Sequence, residues 1–269
     1  MRIAATGRAL AFASVTLATA GMALAQSLRD FDPPPVVGAS PAPQSPPQSC
    51  DAPGFPRERA YALPRLKRLL AKGSDVRIAA FGSSSTQGQG ASSQNTAYPL
   101  QMQAWLRRAL RHAHINVDNM GAPGEIAAET AVRILSELSG DPPGLIVWQT
   151  GVNDGTHDVA LTRFETVMRS TIDAVRRANV EMIIVGQQYT TRLAESGHYL
   201  AIGRAMERVA REKGIAYVDR FVNMRAIVQA RGKEDMLSED NFHLNDFGYR
   251  CMAEQIGKVI VEGLKAGNT

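Results

Sequence analysis

Residues 76–88 read Val-Arg-Ile-Ala-Ala-Phe-Gly-Ser-Ser-Ser-Thr-Gln-Gly, an apolar run followed directly by a loop rich in glycine and serine. A short apolar run bounded by turn residues is typical of a strand that is buried on both faces of a sheet. We therefore predict a strand over residues 76–81 and a loop over residues 82–88. Turns commonly contain small residues, so this loop alone does not indicate a function.

The chain from residue 61 onward repeats this alternation of apolar runs and helical patterns. Four further runs predict strands, over residues 115–117, 145–149, 181–185 and 215–218. Amphipathic periodicity predicts helices over residues 97–111, 126–138, 161–178, 199–213 and 247–264. Strands that alternate with helices form right-handed crossovers and a parallel sheet. We therefore predict one three-layer α/β/α domain over residues 61–269, with five parallel strands.

Polar segments follow the first three predicted strands, at residues 82–88, 119–125 and 151–154. A fourth polar segment, residues 240–245, stands just before the last predicted helix. In open α/β sheets, ligands bind beyond the carboxyl ends of the strands. We therefore expect these segments to meet at one site.

Ser84, His243 and Asp240 are the candidate catalytic residues. A hydroxyl group is a weak nucleophile at neutral pH and needs an adjacent base. His243 can accept the proton, and Asp240 can hold the imidazole in the required tautomer and stabilise its cation. The spacing of three residues between Asp240 and His243 suits a turn that presents both side chains in one direction. The alternative for His243 is an ordinary core histidine.

A tetrahedral intermediate also needs hydrogen-bond donors for its oxyanion. The candidates are the backbone N–H groups of Ser84 and Gly121 and the side-chain amide of Asn153. Gly121 has an alternative interpretation, in which glycine serves only the backbone turn. Asn153 could instead cap the following helix.

Two other groups of residues have weaker interpretations. Tyr189, in the loop after the fourth predicted strand, either lines a substrate pocket or covers the end of the sheet. His157 and Asp158, together with Asp154, match no recognised metal-ligand spacing, so a solvated loop is expected there. We predict no metal and no cofactor. The GxSxG elbow of the α/β-hydrolases does not surround Ser84.

The four segments resemble the blocks of the SGNH (GDSL-type) hydrolases, which contribute Ser, Gly, Asn and His in that order. The resemblance extends over residues 76–254, and the order and spacing of the blocks agree. It implies a flavodoxin-like sheet, esterase activity without metal or cofactor, and Ser84 as the nucleophile among three adjacent serines. One difference is Ser83, because the family usually has Asp before the nucleophile.

The first 25 residues have the pattern of a secretory signal peptide. Arg2 and Arg8 precede an apolar stretch, and residues 23–25 read Ala-Leu-Ala, a cleavage pattern that predicts a mature chain starting at Gln26. The alternative is an uncleaved membrane anchor, for which the apolar stretch is short. We therefore predict a periplasmic or secreted protein without a stable membrane span.

Residues 26–60 are rich in proline and predict an extended linker. The formal net charge of the whole chain is +4, and removal of Arg2 and Arg8 lowers it by two. A nearly neutral chain without runs of like charge gives no indication of nucleic-acid binding. Cys50 and Cys251 are the two cysteines of the chain. Export makes a disulfide between them chemically favourable, and two unpaired thiols are the alternative.

These observations together predict an exported serine esterase that removes small acyl groups, mainly acetyl, from carbohydrates or cell-envelope glycans. Export, a spacer arm and the lack of a large apolar lid insertion favour a polar polymer as the substrate. The alternatives are a lipid-directed esterase or lysophospholipase, a glycan O-acyltransferase and a non-catalytic glycan-binding module. The hydrolase and the transferase would use the same residues.

Overall fold

Residues 49–51, 61–111, 113–232 and 235–266 are those that the computed structural model of the protein describes. The signal peptide predicted over residues 1–25 lies outside the described residues. So does the predicted linker over residues 26–60, apart from residues 49–51. Within the described part of the chain, no helix is both long enough and apolar enough to cross a membrane.

Five parallel strands form one sheet in the order β2-β1-β3-β4-β5. The strands are β1 (Val76–Gly82), β2 (Ile115–Gly121), β3 (Leu145–Gln149), β4 (Glu181–Val185) and β5 (Ala216–Val218). The predicted parallel five-stranded sheet is thus confirmed, and its strand order is that of flavodoxin-like folds. The order reverses direction between β1 and β3, which makes their carboxyl ends the expected position of a ligand site.

Helices connect the strands and flank the sheet. They are α1 (Pro64–Ala71), α2 (Ser84–Gln87), α3 (Tyr98–Ala109), α4 (Ala127–Ser139), α5 (Val152–Thr156), α6 (Leu161–Arg177), α7 (Gly197–Lys213), α8 (Arg220–Arg231) and α9 (Asp246–Lys265). All five predicted helices are present, with ends that differ by a few residues.

The alternation of side chains along each strand divides the hydrophobic core into two layers. Ile78 and Ala80 of β1 belong to the layer that includes residues of α3, α8 and α9. Ala79 and Phe81 belong to the layer that includes residues of α4, α6 and α7. The interior strands β1, β3 and β4 therefore bury both faces, which explains why they are recognisable as continuous apolar runs.

The end of β2 and the helices α1, α2, α5 and α8 differ from the sequence prediction. β2 extends to Gly121, four residues beyond the predicted end, because an edge strand keeps its pairing with β1 although its second half is polar and only half-buried. The short helix α1 begins where the carboxylate of Glu181 accepts the backbone N–H groups of Arg65 and Leu66, at 2.8 and 2.9 Å. This cap lies 116 residues away in sequence from Arg65, so local patterns do not reveal it.

A disulfide bond joins Cys50 to Cys251 of α9, with a separation of 201 residues in sequence. Both cysteines are buried, and they pack in the core layer that includes α9. Nearby, the ammonium group of Lys258 lies 3.3 Å from a carboxylate oxygen of Asp51. The bond therefore fastens the start of the described chain to the last helix.

Reduction of this disulfide is expected to lower the midpoint of thermal unfolding. In the chain-entropy model, a crosslink that closes a loop of this length contributes up to about 5 kcal/mol to the free energy of unfolding. The measurement is calorimetry of the wild type with and without dithiothreitol. Cys50→Ser is the control, because its lower midpoint should not respond to the reductant. Equal midpoints for the oxidised and reduced wild type would contradict the prediction.

Candidate active site

Ser84 is the first residue of α2, immediately beyond the carboxyl end of β1, and its side chain is half-buried. The strand ends at Gly82, where a Cβ atom would lie 2.2 Å from Thr86 Oγ1, so only glycine permits this close turn. The turn directs the chain from the interior strand into a short helix at the surface. It thereby exposes the hydroxyl of Ser84 at the ligand-binding edge of the sheet.

Gln149, the last residue of β3, holds the loop of Ser84 from the neighbouring strand. Its Oε1 atom accepts the backbone N–H of Ser83 at 3.1 Å, the Ser83 hydroxyl at 3.3 Å and the Thr86 hydroxyl at 3.0 Å. Ser83, Thr86 and Gln149 are all buried. The loop on which Ser84 lies is therefore fixed to the sheet by a neutral acceptor with several donors.

The structure brings the Ser84, His243 and Asp240 side chains into one hydrogen-bonded chain. Ser84 Oγ lies 2.9 Å from His243 Nε2, and His243 Nδ1 lies 2.5 Å from Asp240 Oδ2. When His243 Nδ1 donates to the carboxylate, Nε2 carries the lone pair that can accept the serine proton. The arrangement can therefore activate the Ser84 hydroxyl as a nucleophile.

The other oxygen of Asp240 is occupied by three donors. Asp240 Oδ1 accepts the Ser238 hydroxyl at 2.7 Å and the N–H groups of Phe242 and His243 at 2.9 and 2.8 Å. Partial burial by itself would raise the pKa of Asp240, but the hydrogen bonds from His243, Ser238 and the backbone hold it well below its usual range. Asp240 is thus an anion at neutral pH and fixed in orientation.

A tight turn places Asp240 and His243 side by side. Leu237 and Leu244 pair as an antiparallel bridge, and the N–H of Ser238 donates to the carbonyl of His243 at 2.8 Å. Asn241, at the tip, has φ 56°, a conformation that asparagine tolerates better than most residues. The turn is anchored to α9 by the N-cap residue Asn245, whose Oδ1 accepts the Gly248 N–H at 2.9 Å.

Gly121 lies at the end of β2, and its backbone N–H donates to Asn119 Oδ1 at 3.0 Å. A Cβ atom on Gly121 would lie 2.0 Å from the backbone nitrogen of Gln87, in the helix that begins at Ser84. Glycine here thus permits α2 to pack directly on β2, a role that differs from the backbone turn considered from the sequence. The oxyanion role would require the Gly121 N–H to leave Asn119.

Asn153 is the second residue of α5, and the N-cap position belongs to Gly151, which has φ 89°. The Asn153 amide donates to the carbonyl of Glu125 at 2.8 Å. A side-chain amide carries two N–H donors, so one hydrogen remains for a ligand. The backbone N–H of Ser84 makes no hydrogen bond with the described residues, which leaves a second donor beside the Ser84 hydroxyl.

Asp154, beside Asn153, is buried. Both of its carboxylate oxygens accept the N–H of Ala127, each at 3.1 Å. This contact joins the loop after β3 to the first residue of α4. Burial raises the pKa of Asp154 to about 6, and the N–H groups of Ala127, Asp154 and Gly151 oppose that increase.

The raised pKa of Asp154 predicts a pH-dependent stability. Between about pH 4 and pH 6, the folded state binds more protons at this group than the unfolded state. The contribution of Asp154 to the free energy of unfolding should therefore fall by about 3 kcal/mol as the pH rises through this window. Denaturant unfolding of the wild type and of Asp154→Asn across pH 4–7 measures this contribution. The free energy of unfolding of the wild type minus that of Asp154→Asn should fall as the pH rises. Asp158→Asn, at an exposed position, is the control, and a constant difference for Asp154→Asn would refute the assignment.

Tyr189 is half-buried, packs against the core layer of α8 and α9, and makes an edge-to-face contact with Phe221 at 5.3 Å between ring centroids.

His157 and Asp158 are exposed, whereas Asp154 is buried against α4. Among the described residues, no group of three or more His, Cys, Asp or Glu side chains is arranged to hold a metal ion.

Three residues near the site were not recognised from the sequence: Gln149, Gln188 and Arg220. Each is fully or almost fully buried, Gln149 and Gln188 contact the segments of Ser84 and His243, and Arg220 contacts Gln188. Gln149 ends a predicted strand and Gln188 stands in a predicted loop, so neither has a local pattern that indicates a function. Only their long-range contacts reveal it.

The parallel sheet, the strand order and the four loops at its carboxyl edge define the class of protein as one with the SGNH hydrolase fold. A model of the non-GDSL lipase-like family matches residues 49–266, and the chain belongs to this family. The family description accords with Ser83 at the position where GDSL-type members usually have Asp. A search of curated protein sequences finds no significant match.

Solved structures with the same fold include several esterases. A two-domain esterase active on acetylated mannans aligns with 79% of this chain at 20% identity and a TM-score of 0.63. The alignment covers 56% of that protein, so the present chain matches little more than half of its length. A variant of Axe2, an acetyl xylan esterase from Geobacillus stearothermophilus, aligns with 70% of this chain and 95% of its own at 17% identity and a TM-score of 0.61. TesA aligns with 70% of this chain and 99% of its own at 19% identity and a TM-score of 0.60.

Proposed function

We propose that the protein is a serine esterase that removes small acyl groups, mainly acetyl, from a carbohydrate through an acyl-enzyme. The observation that carries the proposal is the hydrogen-bonded chain from Ser84 through His243 to Asp240. In a member of a lipase-like family, such a chain at the carboxyl edge of the sheet is suited to ester cleavage.

The reaction follows from the positions of these atoms. Ser84 Oγ attacks the ester carbonyl while His243 Nε2 accepts the hydroxyl proton, and Asp240 stabilises the resulting imidazolium. The tetrahedral intermediate collapses, the bond between the acyl carbon and the sugar oxygen breaks, and His243 gives its proton to that oxygen, which leaves as the sugar hydroxyl. A water molecule then attacks the acyl-enzyme with His243 again as the base, which releases the carboxylic acid and restores Ser84.

The Ser84 N–H and the second amide hydrogen of Asn153 are the proposed oxyanion donors. Removal of one such donor typically costs about 3 kcal/mol of transition-state stabilisation. Gly121 could add a third donor only if its N–H left Asn119 Oδ1. In the present conformation, Gly121 instead allows β2 to pack closely against α2, the helix that begins at Ser84.

Exposed polar groups in the segments of Ser84 and His243 support a small acyl group on a hydrophilic leaving group. Gln87 is exposed, and its carbonyl accepts the amide of Asn119 at 3.3 Å. In the turn of His243, Asn241 is exposed and the Ser238 hydroxyl donates to Asp240 Oδ1. Two of the structurally similar proteins are esterases described as acting on acetylated mannan or xylan, which supports an acetylated polysaccharide as the substrate class.

Rates on p-nitrophenyl esters of increasing acyl length, together with acetate release from acetylated mannan and xylan, test this proposal. We expect acetyl to be the preferred group, acetate to be released from the polymer, and neither activity in Ser84→Ala. A preference for chains longer than octanoyl would indicate a lipid-directed esterase instead. Transfer of acetyl to an added glycan in place of release would indicate a transferase, and binding without turnover would indicate a non-catalytic module.

We further propose that the mature protein is periplasmic or secreted and begins at Gln26. The sequence of residues 1–25 and the disulfide between Cys50 and Cys251 support export, because such bonds persist in oxidising compartments. N-terminal sequencing of the protein recovered outside the cytoplasm tests the cleavage position.

Each proton transfer and bond change in the proposed reaction is assigned to a side chain or to water, so EDTA should leave the rate of p-nitrophenyl acetate hydrolysis unchanged.

A further inference from the structure

Arg220, the first residue of α8, is completely buried beneath the carboxyl edge of the sheet. Its guanidinium makes no salt bridge with any carboxylate of the described residues, and its Nε atom is buried without a hydrogen-bond partner among them. Burial of a charge without an opposite charge costs much free energy, and arginine is rarely fully buried unless it is paired. Burial accordingly lowers the pKa of Arg220 below its ordinary value.

The principal partner of Arg220 is the side chain of Gln188, which is also completely buried. One terminal nitrogen of Arg220 donates to Gln188 Oε1 at 2.8 Å, and the other lies 3.6 Å from the sulfur of Met252. Gln188 stands in the loop after β4. The positively charged guanidinium of Arg220 therefore has the amide oxygen of Gln188 as its principal hydrogen-bond acceptor.

Gln188 connects the two loops that carry the proposed nucleophile and base. Its Oε1 atom accepts the hydroxyl of Ser85 at 3.3 Å, and its Nε2 atom donates to the carbonyl of Phe242 at 3.0 Å. Ser85 directly follows Ser84, and Phe242 directly precedes His243. A single amide therefore spans from the helix of the nucleophile to the turn of the base.

Arg220 determines which way this amide faces. With the amide reversed, the NH₂ group of Gln188 would face the guanidinium donor, and its oxygen would face the carbonyl oxygen of Phe242. Both contacts would be repulsive. Because an arginine side chain has only donors, it permits the single orientation in which Nε2 binds the loop of His243.

Buried tyrosines around Arg220 hold the same loops from other directions. The Tyr199 hydroxyl donates to the Gln188 carbonyl at 2.7 Å, and the Tyr249 hydroxyl donates to the carbonyl of Gln89 at 2.6 Å. The hydroxyl of Tyr98 lies 3.2 Å from Thr86 Oγ1. Burial raises the pKa of each of these tyrosines, so each remains a protonated donor.

We propose that Arg220 and Gln188 are positioning residues, which hold Ser84 and His243 at hydrogen-bonding distance by tying their loops together. This inference rests on the proposed function, because it assigns these residues a role in the same reaction. Neither residue touches the reacting atoms. The expected defect is therefore in kcat, since a displacement of about 1 Å between reacting groups can lower a rate about 100-fold, whereas KM should change little.

Gln188→Glu separates positioning from simple structural support. The carboxylate can pair with Arg220 and accept from Ser85, which compensates the buried charge, but it cannot donate to the Phe242 carbonyl. We expect an unfolding midpoint at or above that of the wild type, together with a kcat on p-nitrophenyl acetate about 10- to 100-fold lower. Arg220→Met removes the charge that orients the amide and should lower kcat in the same way. If Arg220→Met does not fold, Gln188→Glu decides alone.

Glu181→Gln is the matched control, because Glu181 caps α1 away from the catalytic loops. It should lower the unfolding midpoint and leave kcat unchanged. A wild-type kcat and KM in folded Gln188→Glu would overturn the positioning role. Ser84→Ala, assayed in parallel, keeps the two proposals distinct: hydrolysis by Ser84→Ala would refute the proposed function, whereas an inactive Ser84→Ala with fully active Gln188→Glu would refute only this inference.

Discussion

Ser84→Ala is expected to lower kcat/KM for p-nitrophenyl acetate by about 10⁴-fold or more, because triad members act as one unit in serine hydrolases. The substitution removes the oxygen atom that lies 2.9 Å from His243 Nε2 and is placed to attack a substrate. Steady-state kinetics of the purified variant measure the loss. The unfolding midpoint should stay close to that of the wild type, since the Ser84 side chain is only half-buried.

Two further variants make this prediction specific. Ser139→Ala removes an exposed hydroxyl of α4, which donates to the Leu135 carbonyl, and it should have wild-type kinetics. The double variant Ser84→Ala with His243→Ala should be hardly slower than Ser84→Ala, because non-additivity is the signature of residues that act together. Independent, multiplying losses would contradict a shared role for Ser84 and His243.

Asp240→Asn is expected to lower kcat by about 10⁴-fold at neutral pH, as a wrong imidazole tautomer does in serine proteases. The reason lies in the three donors that converge on Asp240 Oδ1, from Ser238, Phe242 and His243. They would hold the amide oxygen of the new asparagine at that position and place its NH₂ group against His243 Nδ1. His243 would then carry its proton on Nε2, where it cannot accept the proton of Ser84.

NMR of the histidine nitrogens distinguishes this explanation from a simple loss of charge. In the wild type the proton should reside on Nδ1, and in Asp240→Asn it should reside on Nε2. Asp240→Ala is the comparison variant, because it removes the carboxylate without providing a competing donor. The explanation fails if Asp240→Asn is inactive while its imidazole keeps the wild-type tautomer.

The contacts of the loop before Ser84 explain how the chain accommodates Ser83 where GDSL-type hydrolases usually have Asp. Ser83 is buried, and its hydroxyl donates to Gln149 Oε1. A carboxylate at this position would face an acceptor, and it has no hydrogen to donate at neutral pH. Ser83 and Gln149 therefore form a matched neutral pair, so the loop before Ser84 is stabilised without a buried charge.

Much of the fold could be predicted because the interior strands bury both faces and appear as apolar runs. The helix α8 could not, because its buried side includes Arg220 and Asn223 along with Met224 and Ile227. Its spacing is helical, but polar residues on the inner side hide the amphipathic pattern that identifies a helix. The buried polar contacts that connect the catalytic loops were hidden for the same reason.

The sequence by itself determined the alternation of strands and helices, the four polar segments and the spacing that places Asp240 beside His243. Local spacing is sufficient for these features, since a turn of three residues or a run of apolar residues forms from neighbours. The resemblance of the four segments to a known family, rather than any local pattern, selected Ser84 among three adjacent serines.

Only the tertiary structure decided which donors and acceptors are already engaged. It directs the Gly121 N–H at Asn119, gives the Ser83 hydroxyl to Gln149, and buries Arg220 against Gln188. Ser84 and His243 are 159 residues apart, and strand order and packing bring them together. Ser83 and Gln149, Arg220 and Gln188, and Ser84 and His243 lie on separate segments, so no short window of the sequence contains both members of these pairs. Gly121 and Asn119 are two residues apart, but their contact depends on side-chain orientation at the end of β2, which local sequence does not determine.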